Sequence, residues 1–123
     1  MIADLADHYK IRAILASLLP VSDYHKDTDP NYERTAARPP ATIRALNDWI
    51  KSFCAKRNLT YLDYYSQMVD GAGFLKAELS DDGLHPNPAG YRVMAPMVLT
   101  AIDRLAKPSA PQPEKKKRRF FGN

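Results

Sequence analysis

Apolar positions fall into blocks separated by polar, turn-rich stretches. Ile2, Leu5, Ala6 and Tyr9 recur at helical spacing and predict the end of an amphipathic helix over residues 1–9. Residues 11–19, IRAILASLL, form a short apolar run closed by Pro20. Its Ile and Leu content suits a buried strand, although periodicity alone leaves a helix open. Residues 20–39 are polar, with Asp23, Asp27, Asp29, Pro30, Asn31 and Pro39. A loop of that length in a compact domain is either functional or disordered.

Pro40 suits a first helical turn, where its missing N–H costs nothing. Ile43, Leu46, Trp49, Ile50, Phe53 and Cys54 then trace a wide core-facing stripe, with Asn58 as the stop. LTYLDY, 59–64, predicts a second strand. A short helix or turn follows at 65–70, then a loop through Gly71 and Gly73. After SDDGLHP, Asn87 can cap a last helix with Pro88 as its first residue. Tyr91, Met94, Val98, Ala101, Ile102 and Leu105 form its apolar face. Pro96 lies inside that pattern and predicts a kink or a late helix start. The order α-β-loop-α-β-loop-α implies a right-handed βαβ crossover and an α/β fold, with two parallel strands and three helices.

Composition narrows this picture. The chain has 123 residues, 45% hydrophobic and 26% charged, which is one globular domain at most. No apolar run reaches the roughly 18–20 residues that span a bilayer. The N-terminus lacks the basic start and apolar run of a signal peptide. A single cysteine, Cys54, excludes an internal disulfide and a multi-cysteine zinc site. The net charge of +4 is uneven. Six basic residues against Glu114 leave 107–123 at +5, while 12 basic and 13 acidic residues leave 1–106 at −1. The body therefore has no electrostatic footprint for nucleic acid. The expected division is a folded part, 1–106, and a disordered basic tail, 107–123.

The chemistry concentrates in 80–91, Ser-Asp-Asp-Gly-Leu-His-Pro-Asn-Pro-Ala-Gly-Tyr. Asp82 and His85 are three apart on a loop leading into a helix. A turn allowed by Gly83 can bring the carboxylate to the imidazole. A carboxylate on Nδ1–H fixes the tautomer and leaves Nε2 as general base. Taken alone, Asp-x-x-His is common, and Asp81-Asp82-Gly83 also makes an ordinary turn.

The context outweighs that plain reading. Asp82-Gly-Leu-His85-Pro86, with Gly90-Tyr91 and a C-terminal helix, resembles the last sequence block of the SGNH (GDSL) hydrolases, serine esterases and acylhydrolases. LASLLPVSDY (15–24) looks like the fourth-strand region of that family. RPPATIRALNDWIKSFCAKRNLTYLDYYS (38–66) looks like its next helix and fifth strand. The resemblance covers about residues 1–105. It implies part of a flavodoxin-like three-layer α/β/α sandwich with a parallel five-stranded sheet. It also implies that Asp82 and His85 are two members of a Ser-His-Asp triad, with no cofactor and a small-molecule, glycan or lipid ester as substrate. Ligands in such sheets bind beyond the C-terminal strand ends, which brings loop 20–39 to the border of an acyl or alcohol pocket. Many members are exported; the compartment of this chain stays open.

The family's Gly-Asp-Ser nucleophile block, oxyanion Gly and Gly-x-Asn-Asp block have no counterpart here. None of Ser17, Ser22, Ser52, Ser66, Ser80 and Ser109 follows Gly-Asp. Ser22 reads as a loop residue and Ser17 as a strand residue. The expectation is a C-terminal half, whose partner is a complementing N-terminal half. Such a chain holds two of five strands, has an open apolar edge, and is unstable or self-associating alone.

Other features weigh less. Asp27-x-Asp29-x-Asn31 opens like a calcium loop, but Tyr32 stands where Gly is needed and Arg38 where Glu is needed, so no metal is expected, with His25 and Asp23 included. His8 reads as a surface residue, Asp63 as a partner for nearby loops, Tyr64 and Tyr65 as core or pocket lining, and Cys54 as a small buried hydrophobe. The basic run 115–119 before Phe120 and Phe121 offers an alternative role as an interaction module on anionic lipid or nucleic acid. A solvated tail is the favoured reading.

Overall fold

The computed structural model describes residues 1–28 and 33–106. The reading of a disordered tail and of its lipid-binding run therefore lies outside the described residues, as do Asp29 and Asn31.

The chain forms α1 (Ile2–His8), β1 (Ile14–Ala16), α2 (Arg34–Ala37), α3 (Pro40–Arg57), β2 (Thr60–Leu62), α4 (Tyr65–Met68) and α5 (Pro88–Ala106). Single 3-10 turns occupy Lys26–Thr28 and Ala77–Leu79. Strands β1 and β2 pair in parallel, with Ile14 opposite Thr60 and Ala16 opposite Leu62. Ser17 N–H extends the ladder to the Leu62 carbonyl at 2.8 Å. The βαβ crossover runs through α3, and α3 and α5 both pack against β2. The α/β class, the parallel pair and the three longer helices follow the sequence pattern.

Helix α3 matches its predicted ends. Pro40 opens it, and Asn58 closes it in the left-handed conformation, φ 57°, with its N–H on the Cys54 carbonyl. Ile43 and Cys54 are buried, and burial pushes the Cys54 thiol pKa up. Asn47, a polar residue on the same face, is also buried. Its Oδ1 accepts from Leu18 N–H at 2.7 Å and its Nδ2 donates to the Leu18 carbonyl at 3.1 Å. One side chain thus satisfies both backbone groups where β1 runs out.

Several boundaries and faces differ from expectation. Both strands are only three residues long. The segment after Pro20 is not a bare loop, since it contains the Lys26–Thr28 turn and α2. Helix α5 starts at Pro88 and continues through Pro96 without a late start. Pro96 is exposed, so its ring and the unpaired carbonyl one turn earlier meet solvent and not the core. Helix α1 turns Ala3 and Ala6 inward while Ile2, Leu5 and Tyr9 are exposed. Arg57, at the end of α3, ties α1 down, its Nη2 reaching Asp4 at 2.7 Å and Asp7 at 2.9 Å. Leu46 and Trp49 of α3, and Tyr91 and Ile102 of α5, are likewise exposed against the predicted stripes.

The tightest core lies under the loop that leads to the site. Met68, Leu75 and Leu79 are buried together, with Leu19, Tyr64, Ala89, Val93 and Met94 packed against them. Asp70 shapes that loop by accepting Ala72 and Phe74 N–H, both at 2.9 Å. The last strand end, the 75–79 segment and the first turns of α5 are thereby fixed around residues 80–86.

Candidate functional site

The site begins with a glycine. Gly83 sits at φ 79°, and a Cβ there would stand 2.1 Å from the Ser22 carbonyl oxygen. Only glycine permits both the left-handed turn and that approach. The contact is cemented by Ser22 N–H donating to the Gly83 carbonyl at 2.9 Å. The segment leaving β1 and the loop entering α5 are therefore locked together at one residue.

Ser80 winds the turn around Gly83. Its Oγ accepts Gly83 N–H at 2.9 Å and Asp82 N–H at 3.3 Å, and donates to the His85 carbonyl at 2.7 Å. Asp82 Oδ1 accepts the backbone N–H of Leu84 and His85, each at 2.8 Å. Its other oxygen, Oδ2, lies 2.6 Å from His85 Nδ1. The Asp-x-x-His spacing thus works through an Asx-type turn, as the sequence anticipated. On the far side Asn87 caps α5, its Oδ1 accepting Gly90 N–H at 2.9 Å and its Nδ2 donating to the Glu78 carbonyl and Asp81 Oδ1, each at 3.0 Å. Gly90 allows the Leu79 carbonyl to come within 2.6 Å of where a Cβ would be. That close approach gives the Gly90 of the sequence block a packing role.

Electrostatics decide the tautomer. Burial works against the Asp82 charge, but the His85 ring hydrogen bond, the amides of His85 and Leu84, and the imidazole's charge outweigh it. The carboxyl pKa is therefore held well below the usual carboxylate range. An ionised carboxylate only accepts, so Nδ1 carries the proton and neutral His85 presents the lone pair of Nε2. The His85 side chain is 72% exposed. What the pair can do chemically is accept a proton from a hydroxyl brought to Nε2 and return it to a leaving group.

A cavity of about 570 Å³ lies beside it, within the size range of small-ligand sites. Leu18, Leu19, Leu46 and Leu84 line it with His85, and Val21, Ala37 and Pro39 bring in the segment after β1. That segment does border an apolar pocket at the C-terminal strand ends.

The remaining candidate residues go elsewhere. Ser22 is buried and its Oγ has no hydrogen-bond partner among the described residues. It lies under the loop, shielded from any substrate. Ser17, one residue past β1, accepts Tyr65 N–H at 2.9 Å. Asp63 caps the turn at Ser66, accepting its N–H at 3.1 Å. His25 Nε2 lies 3.0 Å from the Ala77 carbonyl, and Asp27 is exposed on a 3-10 turn, so these residues do not converge. His8 is exposed.

Two supports escaped the sequence reading. Asp23 caps α2 from 11 residues away, Oδ1 accepting Arg34 N–H at 2.6 Å and Thr35 N–H at 3.0 Å, with Thr35 Oγ1 on Oδ2. Arg34 Nε donates to the Asp82 carbonyl at 3.2 Å. The turn-forming Ser80 had a local signal in Ser-Asp-Asp-Gly, whereas Arg34 lies 48 residues from Asp82 and had none.

Comparison with known proteins fits this arrangement. A candidate acylhydrolase from Bacteroides fragilis is 30% identical, with a TM-score of 0.70, over 85% of this chain and 48% of its own. A GDSL-like lipase from Bacteroides thetaiotaomicron is also 30% identical, with a TM-score of 0.71, over 84% of this chain and 48% of its own. The esterase domain of a zebrafish retrotransposon protein shares the fold at 17% identity, with a TM-score of 0.61, over 84% of this chain and 53% of its own. Among curated proteins no sequence matches. The chain spans about half the length of these solved structures, and its two parallel strands and helices correspond to part of their α/β sandwich. The GDSL-like lipase/acylhydrolase family profile matches residues 1–93, and the chain belongs to that family.

Proposed function

We propose that Asp82 and His85 are the acid–base pair of a serine-type ester hydrolase site whose nucleophile and oxyanion donors lie on polypeptide outside these 123 residues. The observation that carries this reading is the 2.6 Å contact between Asp82 Oδ2 and His85 Nδ1, with the imidazole otherwise open. Acyl transfer also needs a nucleophile beside the base and donors around the developing oxyanion. No serine here follows Gly-Asp, and the buried Ser22 is no substitute. Removing the nucleophile from a serine protease lowers turnover by about 10⁶-fold. The 123 residues alone therefore run at background rate.

The partner is the remaining half of the same domain. The solved relatives extend to about twice the matched length, and β1 has a strand on one side only among the described residues. Ile11, Leu18, Leu46 and Trp49 are exposed apolar side chains suited to burial against it. The test is to mix the chain with a polypeptide carrying the Gly-Asp-Ser, Gly and Gly-x-Asn-Asp blocks and follow p-nitrophenyl acetate. Turnover is expected from the mixture only, and His85→Ala abolishes it. Turnover by the unmixed chain that His85→Ala removes and a serine-directed phosphonate blocks would overturn the proposal.

A further inference from the structure

We infer that Arg34 is a positioning residue for the Asp82–His85 pair, holding the Asp82 carboxylate aimed at Nδ1. The inference rests on the reading of that pair as the site's base and orienting acid. Arg34 touches Asp82 at both ends. Its Nε donates to the backbone carbonyl at 3.2 Å, and its Nη2 lies 3.8 Å from Oδ2, the oxygen that meets His85. The guanidinium therefore resists rotation of the carboxylate away from the ring.

The arginine is itself held. It is the first residue of α2, and its N–H is bound by Asp23. Asp23 follows directly on Ser22, whose N–H binds the Gly83 carbonyl. The segment after β1 thus grips the turn twice, through backbone at Gly83 and through a cation at Asp82. The Arg34 side chain is only 15% exposed, so its charge is weakly screened.

Among the described residues the neighbouring charges are Asp82 and Asp81 of the loop, Arg34 and its partner Asp23, and Arg38, which lines the cavity with His85. Of these cations Arg34 pairs with the oxygen that His85 uses, so Oδ2 is held between the guanidinium and the imidazole.

The experiment follows the His85 Nδ1 proton resonance in the full 123-residue chain by NMR. Arg34→Gln is expected to speed its exchange with water at least threefold, and Arg34→Lys to restore most of that protection. An Arg34→Gln chain in which exchange quickens less than threefold, while Asp82→Asn abolishes the resonance, would overturn the inference and leave the acid–base pair standing. An Asp82→Asn chain with the resonance unchanged would instead sink the pair itself. Should Arg34→Gln fail to fold, the Arg34 Nε–H resonance of the unaltered chain decides. It is expected to be protected from exchange and to move in Asp82→Asn, and an unprotected resonance refutes the contact.

Discussion

Replacing Gly83 by alanine tests whether the turn carries the site. The backbone at Gly83 has φ 79°, a conformation costing a non-glycine residue roughly 1–2 kcal/mol. The new Cβ would also fall 2.1 Å from the Ser22 carbonyl oxygen. Contacts to real Cβ atoms do not come under 3.0 Å, so the two chains must separate by about 1 Å. Neither can relax cheaply, since the opposing atom is buried backbone and the two residues are hydrogen bonded at 2.9 Å. The combined cost is about 2–4 kcal/mol. Because Asp82 and His85 lie either side of this turn, the same displacement opens the 2.6 Å contact between them. Gly71→Ala is the matched control, with nothing within 4 Å of its Cβ and no positive φ, and should change stability by less than about 1 kcal/mol. Urea unfolding followed by circular dichroism gives the energies, and the Nδ1 proton resonance of His85 reports the pair. A Gly83→Ala chain that unfolds alongside Gly71→Ala with the resonance intact would refute the reasoning.

Further outcomes follow from the same geometry. Asp23→Ala removes the cap of α2 and should cost about 1 kcal/mol in denaturant unfolding; no change would mean that α2 holds without it. Asp82 and Asp23 both titrate below the ordinary carboxylate value, so the stability they confer is complete above about pH 4 and is lost as pH falls through their folded values. The protection factors of the Leu84 and His85 amides, with the intrinsic pH dependence of exchange divided out, should fall on acidification in that window and stay constant above it. The exposed strand edge and apolar side chains predict self-association at micromolar concentration. Sedimentation should show a shift toward monomer in an Ile11→Lys, Trp49→Lys double variant, whereas a monodisperse parent monomer with a sharp thermal transition would count against an uncovered face.

What was legible in the sequence was local. Proline at position 40 and asparagine at position 58 mark the ends of α3 because each satisfies a backbone requirement within one turn. Asp82, Gly83 and His85 could be joined on paper because three residues and a left-handed turn suffice to bring them together. Asn87 could be named a cap for the same reason. Arg34, Asp23 and Asn47 were illegible because their partners lie 48, 11 and 29 residues away, and a polar residue in a pattern carries no mark of a distant backbone group. Proline at position 96 misled in the other direction, since it sits on a solvent-facing turn that tolerates a lost hydrogen bond.

The mismatches in the apolar pattern carry their own argument. Ile2, Leu5, Tyr9, Leu46, Trp49, Tyr91 and Ile102 read as core positions and stand exposed. Ile2 and Leu5 lie on α1 and Tyr9 is its C-cap, just before β1, and Ile102 shares a surface hollow with Ile14 of β1. Leu46 shares the cavity of His85 with Leu18, just past the end of β1. Around β2 the pattern and the burial agree, with Leu62 and Cys54 both buried. A helix stripe is selected by what it packs against, so these exposed apolar positions are available to a further packing partner. The site is held from two sides, by the segment after β1 at Gly83 and by the Asn87 cap of α5, and the His85 ring between them stays exposed.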